Sequence, residues 1–598
     1  MRLIQTAKLI RISRPWLGMY VAALWLSLGT GCGRNAPPEP AAKTSQKAAP
    51  ETTSTGPSAE KEAKSAAEGA TETVAKERSA KVATDLRPLD RGVKLYAQHC
   101  AACHGEKGDG QGLAARFLFP KPRDFRAGRF RLISTANGVP TRADIETVLV
   151  HGMPGSAMIS WAHLDERDRR LLAEQVLELR RQGARDIELA AAKEADETLS
   201  EAELKESVDR VTTPGEVAAV PAFAAATPEV IARGKDLYLT KGCLSCHGKD
   251  GKGDGQEKMV DAEGLPTRPR DLTRGIYKGN ADPPSVYRRL WLGMPGSPMP
   301  SSSQNMTKAQ VADLVHFVLS LSDEATRTAT VMRRERLVAP RVAEAPSTAA
   351  SDAWSHVPVT KLRLTPLWWR DETDAELQVQ AVHDGKSLFL RLSWSDDTPD
   401  RHALKTEAFK DAAAVELYRG DAEPFVGMGA PGAPVDVWMW DSDHDGVRAD
   451  VEDANPRIAV DQYPLTGAAV DTAEYARPTT KTDAQPEAFL TARAAGNPIV
   501  PHGQGAGGSE LEVGGPGSVT FALPVNQSVK AHGEWRDGRW TVVLSRPLAA
   551  VQGSGGVSLA PGERASAAFA VFNGAKRDRD GQKLITIWQD LVLEGNNR

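Results

Sequence analysis

The tightest constraint on this 598-residue chain is a block of sequence that occurs twice. The first copy runs Gly92-Val-Lys-Leu-Tyr96 and then Cys100-Ala-Ala-Cys103-His104-Gly105; the second runs Gly234-Lys-Asp-Leu-Tyr238 and then Cys243-Leu-Ser-Cys246-His247-Gly248. Each continues into a Gly/Asp loop (Gly108-Asp-Gly-Gln-Gly112, Gly253-Asp-Gly-Gln256) and a Pro-Arg-Asp triplet (Pro122-Arg123-Asp124, Pro269-Arg270-Asp271). Each then reaches Gly-Met-Pro-Gly-Ser with a second methionine two residues on, Met158 and Met299. A periodic apolar helix closes both copies, through Leu171, Leu172, Val176 and Leu179 in one and Val311, Leu314, Val315 and Val318 in the other. Self-similarity over about a hundred residues means one folded unit duplicated, not a solenoid of short repeats.

Cys-x-x-Cys followed at once by His is the attachment pattern of a c-type haem. On one helical turn both thiols reach the two vinyl groups of a porphyrin, and the next imidazole faces the iron. The sixth donor must come from the far wall; a thioether there is soft, favours ferrous iron and raises the potential. A redox-active Cys-x-x-Cys needs neither the following His nor a later Met. A zinc site drawing on both pairs conflicts with their lying in separate units. With Cys100, Cys103, Cys243 and Cys246 in covalent links and both faces of each iron filled, no position is open to substrate. That points to electron transfer and away from oxygen or peroxide chemistry.

The two units resemble class I cytochrome c domains over nearly all of 87–183 and 227–323. The resemblance implies two all-α domains, with irons held by His104 and His247 on one side and Met158 (Met-Ile-Ser-Trp) and Met299 (Met-Pro-Ser-Ser) on the other. Met153 and Met294 are the fallback ligands, although their following prolines fit a turn better than a ligand tip. Arg123 and Arg270 either pair with haem propionates or stay solvated in their loops.

Residues 1–32 read as an export signal: Arg2, Lys8, Arg11 and Arg14 precede a short apolar run from Trp16 to Leu28, too short to span a bilayer comfortably. The Leu-x-x-Gly-Cys ending resembles a bacterial lipoprotein signal, which implies that Cys32, the one cysteine outside the repeats, is lipidated. Gly29 stands where that family usually has Leu. Residues 33–86 are Ala, Glu, Lys, Thr, Ser and Pro with almost no large apolar side chains, the composition of a disordered tether. No cysteines remain for a disulfide-stapled scaffold. The near balance of 74 Lys+Arg against 78 Asp+Glu excludes a nucleic-acid-binding surface on the scale of the whole chain. Residues 184–226, partly helical, read as a linker that is either a spacer or an extension of the first haem domain, and 324–345 read as a linker.

From about 346 the period changes to two, as in Glu376-Leu-Gln-Val-Gln-Ala-Val-His383, Ser387-Leu-Phe-Leu-Arg-Leu-Ser-Trp394 and Trp540-Thr-Val-Val-Leu-Ser545. With Asp384-Gly385 and Asp537-Gly538 as turns, this predicts antiparallel strands in an all-β sandwich over 346–598. Several stretches carry a further resemblance. They are Ala381–Trp394, Met428-Gly-Ala-Pro-Gly-Ala-Pro-Val-Asp-Val-Trp438, Gly533–Leu548, and Ala570-Val-Phe-Asn-Gly574 leading to Lys583 and Trp588. In that order they resemble the haem-binding gamma subunit of ethylbenzene dehydrogenase and its periplasmic molybdenum-enzyme relatives. The resemblance implies a non-covalent haem b at one end of the sandwich, its iron between Met428 and Lys583, with Lys576 as the alternative to Lys583. Lysine binds iron only as the neutral amine, so burial must lower its pKa. Without the cofactor, the same sandwich would serve as a carbohydrate- or protein-binding module. Separately, Asp441, Asp443, Asp445 and Glu452 fit the spacing of a calcium loop, and equally that of an ordinary acidic turn.

The sequence therefore predicts an exported, membrane-anchored electron-transfer protein with two covalent haems c and one haem b. It would carry no catalytic residues of its own. By resemblance its partners would be a periplasmic molybdenum oxidoreductase with an iron–sulfur subunit, and respiratory cytochromes or membrane redox carriers.

Overall fold

The computed structural model describes residues 88–595 apart from 128, 256–257, 347, 371–375, 402–406 and 445–506. Cys32, the 33–86 tether, Asp445 and Glu452 lie outside the described residues.

In the first repeat α1 (Pro88–His99) runs straight into the short α2 (Ala101–His104), and α3 (Arg142–His151) and α4 (Glu166–Glu194) follow. Thr141 opens α3 with a reciprocal capping box to Asp144, and the Asp165 carboxylate accepts from Asp168 N to open α4. The repeated glycines have a packing reason. A Cβ on Gly92 would stand 3.0 Å from the Leu171 carbonyl of α4, and Gly234 meets the Asp313 carbonyl the same way. The repeated tyrosines do a second job: Tyr96 Oη donates to Gly105 O at 2.7 Å and Tyr238 Oη to Gly248 O at 2.6 Å, tying each first helix to the end of its Cys-x-x-Cys-His turn.

Of the two readings of the linker at 184–226, spacer or extension, the structure has the extension of the first domain. Helix α4 continues to Glu194, and α5 (Glu201–Thr212) folds back so that Leu204 and Val208 pack with Ala184. Ala218 N then donates to Ser134 O at 2.8 Å. The second repeat has α6 (Pro228–Thr240), α7 (Cys243–His247), a hairpin of β1 (Met259–Val260) and β2 (Pro266–Thr267), α8 (Pro283–Leu292) and α9 (Lys308–Ser320), with a short α10 (Glu324–Ala329) after it.

The C-terminal region is a two-sheet sandwich. Its strands are β3 (Arg336–Ala339), β4 (Thr360–Arg363), β5 (Thr365–Pro366), β6 (Glu376–His383), β7 (Ser387–Ser395), β8 (Ala412–Tyr418), β9 (Val435–Asp441) and β10 (Gly508–Val513). They continue with β11 (Thr520–Phe521), β12 (Lys530–Arg536), β13 (Arg539–Pro547), β14 (Arg564–Phe572), β15 (Leu584–Ile585) and β16 (Gln589–Leu593). The five-stranded sheet has the order β12-β13-β7-β6-β4, and the nine-stranded sheet runs β11-β10-β9-β8-β14-β15-β5 with β16 and β3 added through β14. Strand β3 lies in the stretch read as a linker at 324–345; it pairs parallel to β16, so the sandwich begins before residue 346. The inner faces meet around Trp394, Trp440 and Trp540, with the rings of Trp440 and Trp540 4.9 Å apart.

Period two decides what the other face of the larger sheet does. Ala413, Val415 and Leu417 of β8, Trp438 and Trp440 of β9, and Ala567 and Val571 of β14 point into the sandwich. Their neighbours Ala414, Glu416, Val437, Met439, Ala568, Ala570 and Phe572 line a cavity on the outside. The first cytochrome-like unit covers that face: its core residues Leu95, Phe125, Leu149 and Trp161 form one apolar cluster with Val435, Val513, Ala568 and Trp588.

Candidate haem sites

Helix α2 presents Cys100 and Cys103 to the cavity, and its last residue is His104. His104 Nδ1 donates to Arg123 O at 2.9 Å, which fixes the tautomer and leaves Nε2 as the free donor. Phe125 stacks on the imidazole with centroids 4.4 Å apart. Burial lowers the His104 pKa to about 4, so the ring is neutral, as an iron ligand must be. Burial also pushes the Cys100 and Cys103 thiols up to about 12. No cation stabilises a thiolate there, so the pair lacks the environment of a reactive dithiol.

The opposite wall is the turn from Met153 to Met158, closed by Met153 N donating to Met158 O at 2.8 Å. Both methionines line the cavity, so ligand and fallback lie on the same wall. The second unit repeats the plan: Met294 N donates to Met299 O at 3.2 Å, and Cys243 and Met299 border one apolar cluster. Burial lowers the His247 pKa against an opposing effect of the Arg270 carbonyl, but here Nδ1 makes no hydrogen bond, unlike that of His104.

The cavity, about 850 Å³, continues from Cys103, His104 and Met158 to Met428, Lys583 and Glu416 on the sheet face. Lys583 Nζ stands 3.9 Å from Met428 Sδ and 5.4 Å from the Phe572 ring. Burial lowers the Lys583 pKa, the direction iron ligation by an amine requires. The alternative, Lys576, is exposed at the end of a short turn, away from this cavity. The site lies on the outer face of the nine-stranded sheet rather than at one end of the sandwich, because alternation along β8, β9 and β14 turns a full row of side chains outward. Glu416 escaped the sequence reading. Its Oε2 accepts from Gly427 N at 3.0 Å, Oε1 is buried without a hydrogen bond, and burial raises its pKa to about 7. An apolar chamber with a thioether, an amine whose pKa burial lowers and an orphaned carboxyl oxygen suits a porphyrin iron better than a hard cation.

Both arginines are partly buried. Arg123 bonds Glu263 across to the second unit at 2.8 Å, and Arg270 lies inside the cavity of the first. The acidic loop offers little to calcium: Lys410 Nζ sits 3.0 Å from Asp441 and 3.5 Å from Asp443, occupying the cation position.

In the first unit a Cys-x-x-Cys-His turn and a methionine turn line one cavity, and the second unit repeats both turns; that arrangement defines a protein of the electron-transfer class, not a catalytic subunit. Residues 87–174 match the family model "Cytochrome C oxidase, cbb3-type, subunit III", residues 231–322 match "Cytochrome c", and residues 351–584 match "Ethylbenzene dehydrogenase". The chain is thus two cytochrome c domains, which carry covalent haem c, joined to a domain of the ethylbenzene dehydrogenase family.

It is 27% identical over 249 residues to a putative respiratory nitrate reductase heme subunit of Haloferax mediterranei, covering 41% of this chain and 67% of that one. It is 26% identical over 246 residues to the dimethylsulfide dehydrogenase subunit gamma of Rhodovulum sulfidophilum, covering 39% and 70%. Identity to the chlorate reductase subunit gamma of Ideonella dechloratans is 27% over 217 residues, covering 36% and 64%. The chain thus spans about two thirds of the length of these relatives. Among solved structures, a chain of the Kuenenia stuttgartiensis reducing HAO-like protein complex is 32% identical, covering 39% of this chain and 96% of that one, with a TM-score of 0.32. No helix among the described residues is long and apolar enough to cross a membrane.

Proposed function

We propose that this protein is a multihaem electron relay of the bacterial envelope, passing electrons between a periplasmic molybdenum oxidoreductase and respiratory carriers. One observation carries the reading: the first covalent-haem residues and the Met428–Lys583 pair line a single cavity. Redox groups that share a cavity wall are placed to exchange electrons without a diffusing carrier.

In this reading His104 with Met158 and His247 with Met299 hold the two covalent haem irons, and Met428 with Lys583 holds a haem b. Bound there, iron porphyrin supplies reversible one-electron chemistry. The protein's part is to keep both imidazoles neutral, fix the His104 tautomer through Arg123 O, lower the Lys583 pKa by burial, and wall the site with apolar side chains. The relatives are named as heme or gamma subunits of a nitrate reductase, a dimethylsulfide dehydrogenase and a chlorate reductase, which supports an oxidoreductase complex as partner; the molybdenum centre and iron–sulfur subunit of that partner belong to the proposal. Export with lipidation at Cys32 completes the proposal, residues 33–86 serving as the tether.

A pyridine haemochrome assay before and after acid–acetone extraction tests the cofactor set. Two haems c per chain should stay bound and one haem b should be released. No extractable haem from protein made with ample haem supply would point instead to a cofactor-free binding module. Affinity purification from native membranes with metal analysis tests the partner; a preparation free of molybdenum counts against it.

A further inference from the structure

The two Pro-Arg-Asp arginines perform matching tasks with exchanged partners. Arg123 turns its carbonyl to His104 of its own unit and sends its guanidinium to Glu263 of the second. Arg270 turns its carbonyl toward His247 and sends its guanidinium into the first unit, where Nη2 donates to Gly155 O at 3.2 Å. Gly155 lies within the turn from Met153 to Met158. Lys278, also from the second unit, reaches the same cavity beside Arg270, Arg131 and Arg123.

The charge balance there does not close. Asp261 pairs with Arg131 at 2.6 Å, and Glu263 pairs with Arg123. Asp144, which also lines the cavity, is used in capping α3 and accepting from Ser134. At the far end Glu416 accepts from Gly427, and Asp580 borders the cavity. Among the described residues no carboxylate pairs with Lys278 or Arg270; the charges acting on Lys278 are the cations Arg270, Arg131, Arg123 and Arg289. The Nε atoms of Arg270 and Arg131 are buried without partners. Enclosed cations without counter-charge are costly, so the place is built to receive an anion. A haem anchored at Cys100 and Cys103 carries two carboxylates of its own, and guanidinium and ammonium groups bind carboxylates through strong charge-assisted hydrogen bonds.

We infer that Arg270 and Lys278 of the second cytochrome c domain bind the propionates of the haem attached to the first, so that the first haem pocket is completed across the domain boundary. This rests on the covalent-haem assignment, which mass spectrometry of the intact chain tests separately by counting attached haems. Ferrous iron carries one positive charge fewer than ferric, so nearby cations favour the reduced state.

Spectroelectrochemical titration of the full-length, haem-loaded protein tests the inference. Met158→His marks the first-haem step by moving it, and Met299→His marks the second. Lys278→Met and Arg270→Gln are expected to shift the step marked by Met158→His to lower potential and leave the other in place, while Lys278→Arg leaves both in place. A shift confined to the step marked by Met299→His, or no shift, overturns the inference. Should Lys278→Met fail to hold haem, a crystal structure of the loaded wild type decides. Lys278 Nζ or the Arg270 guanidinium is expected within about 4 Å of a first-haem propionate oxygen, and a larger separation for both overturns the inference.

Discussion

In the proposed function Lys583 is the amine ligand of the haem b iron. Replacing it with Met keeps the volume and removes the amine, so Lys583→Met is expected to abolish the extractable haem while both covalent haems remain, read by haemochrome spectra before and after extraction. Elsewhere, Asp396 and Asp411 form a buried acidic pair. Asp411 receives Trp540 Nε1, Asp400 N and Gly574 N, whereas Asp396 receives Asn573 Nδ2. Burial pushes Asp411 up to about 6 and, with repulsion from Asp411, pushes Asp396 up to about 7, so Asp411, held by three donors, ionises first and Asp396 keeps the proton. The folded state then binds a proton that the unfolded chain releases near pH 4. The stability from this group is complete below about pH 4 and is lost as pH rises toward 7. Asp396→Asn should flatten that slope; equal slopes for variant and wild type in melting curves across pH 4–8 would refute the assignment. The haem-attachment residues were legible at this scale because the chemistry repeats with fixed spacing. Glu416 and Lys278 were not: each is one charged residue in an unremarkable stretch, brought to the cavity only by tertiary folding.

At the scale of elements, Arg546 joins the two sheets. It projects from β13 to Asp436 of β9 at 2.5 Å and Glu510 of β10 at 2.9 Å, with all three side chains almost wholly enclosed. Arg546→Leu would strand two acids in the core and is expected to cost about 3–5 kcal/mol, measured as a lowered urea midpoint for the sandwich tryptophans. Gly112 makes a second element-level prediction: a Cβ there collides with the Ala101 and Ala102 carbonyls of α2. Gly112→Ala should lift the loop off the haem-attachment turn, costing about 1–3 kcal/mol and lowering haem c occupancy in the mass spectrum. The long alternating strands were readable, and the Asp-Gly turns fell where expected. The two-residue strands β5 and β15 carry too few residues to show a period, and β3 hid in a connector because only its pairing with β16 makes it a strand. Which side of β8 faces the cavity was equally hidden, since in Ala412-Ala-Ala-Val-Glu-Leu-Tyr418 Glu416 marks one face as polar, the usual sign of solvent and not of an enclosed cavity.

For the whole molecule, the first cytochrome c domain and the β-domain share hydrogen bonds as well as a cavity. Phe119 N donates to Leu367 O at 3.0 Å, Trp369 N to Phe119 O at 2.7 Å, and Thr365 Oγ1 to Ser156 O at 2.9 Å. The Arg131–Asp261 pair, with side chains 9% and 6% exposed, holds the two cytochrome c domains together where salt reaches poorly. Asp261→Asn is expected to speed amide exchange in residues 129–133 and 259–264 at least several-fold, with little change in the β-domain. Three domains were visible in the sequence, two as copies of one repeat and one by its period of two, but their docking was not, because it joins loops to a sheet face whose side chains carry no mark of the partner.

The outward row of Ala414, Val437, Met439, Ala568, Ala570 and Phe572 gives the 346 boundary a practical meaning. A fragment starting there would lose β3 and bare a greasy wall, so it should self-associate in size-exclusion chromatography unless haem or detergent shields it. The scissors, placed where the repeats stop, would leave one piece that sticks to its own kind and another holding half a socket.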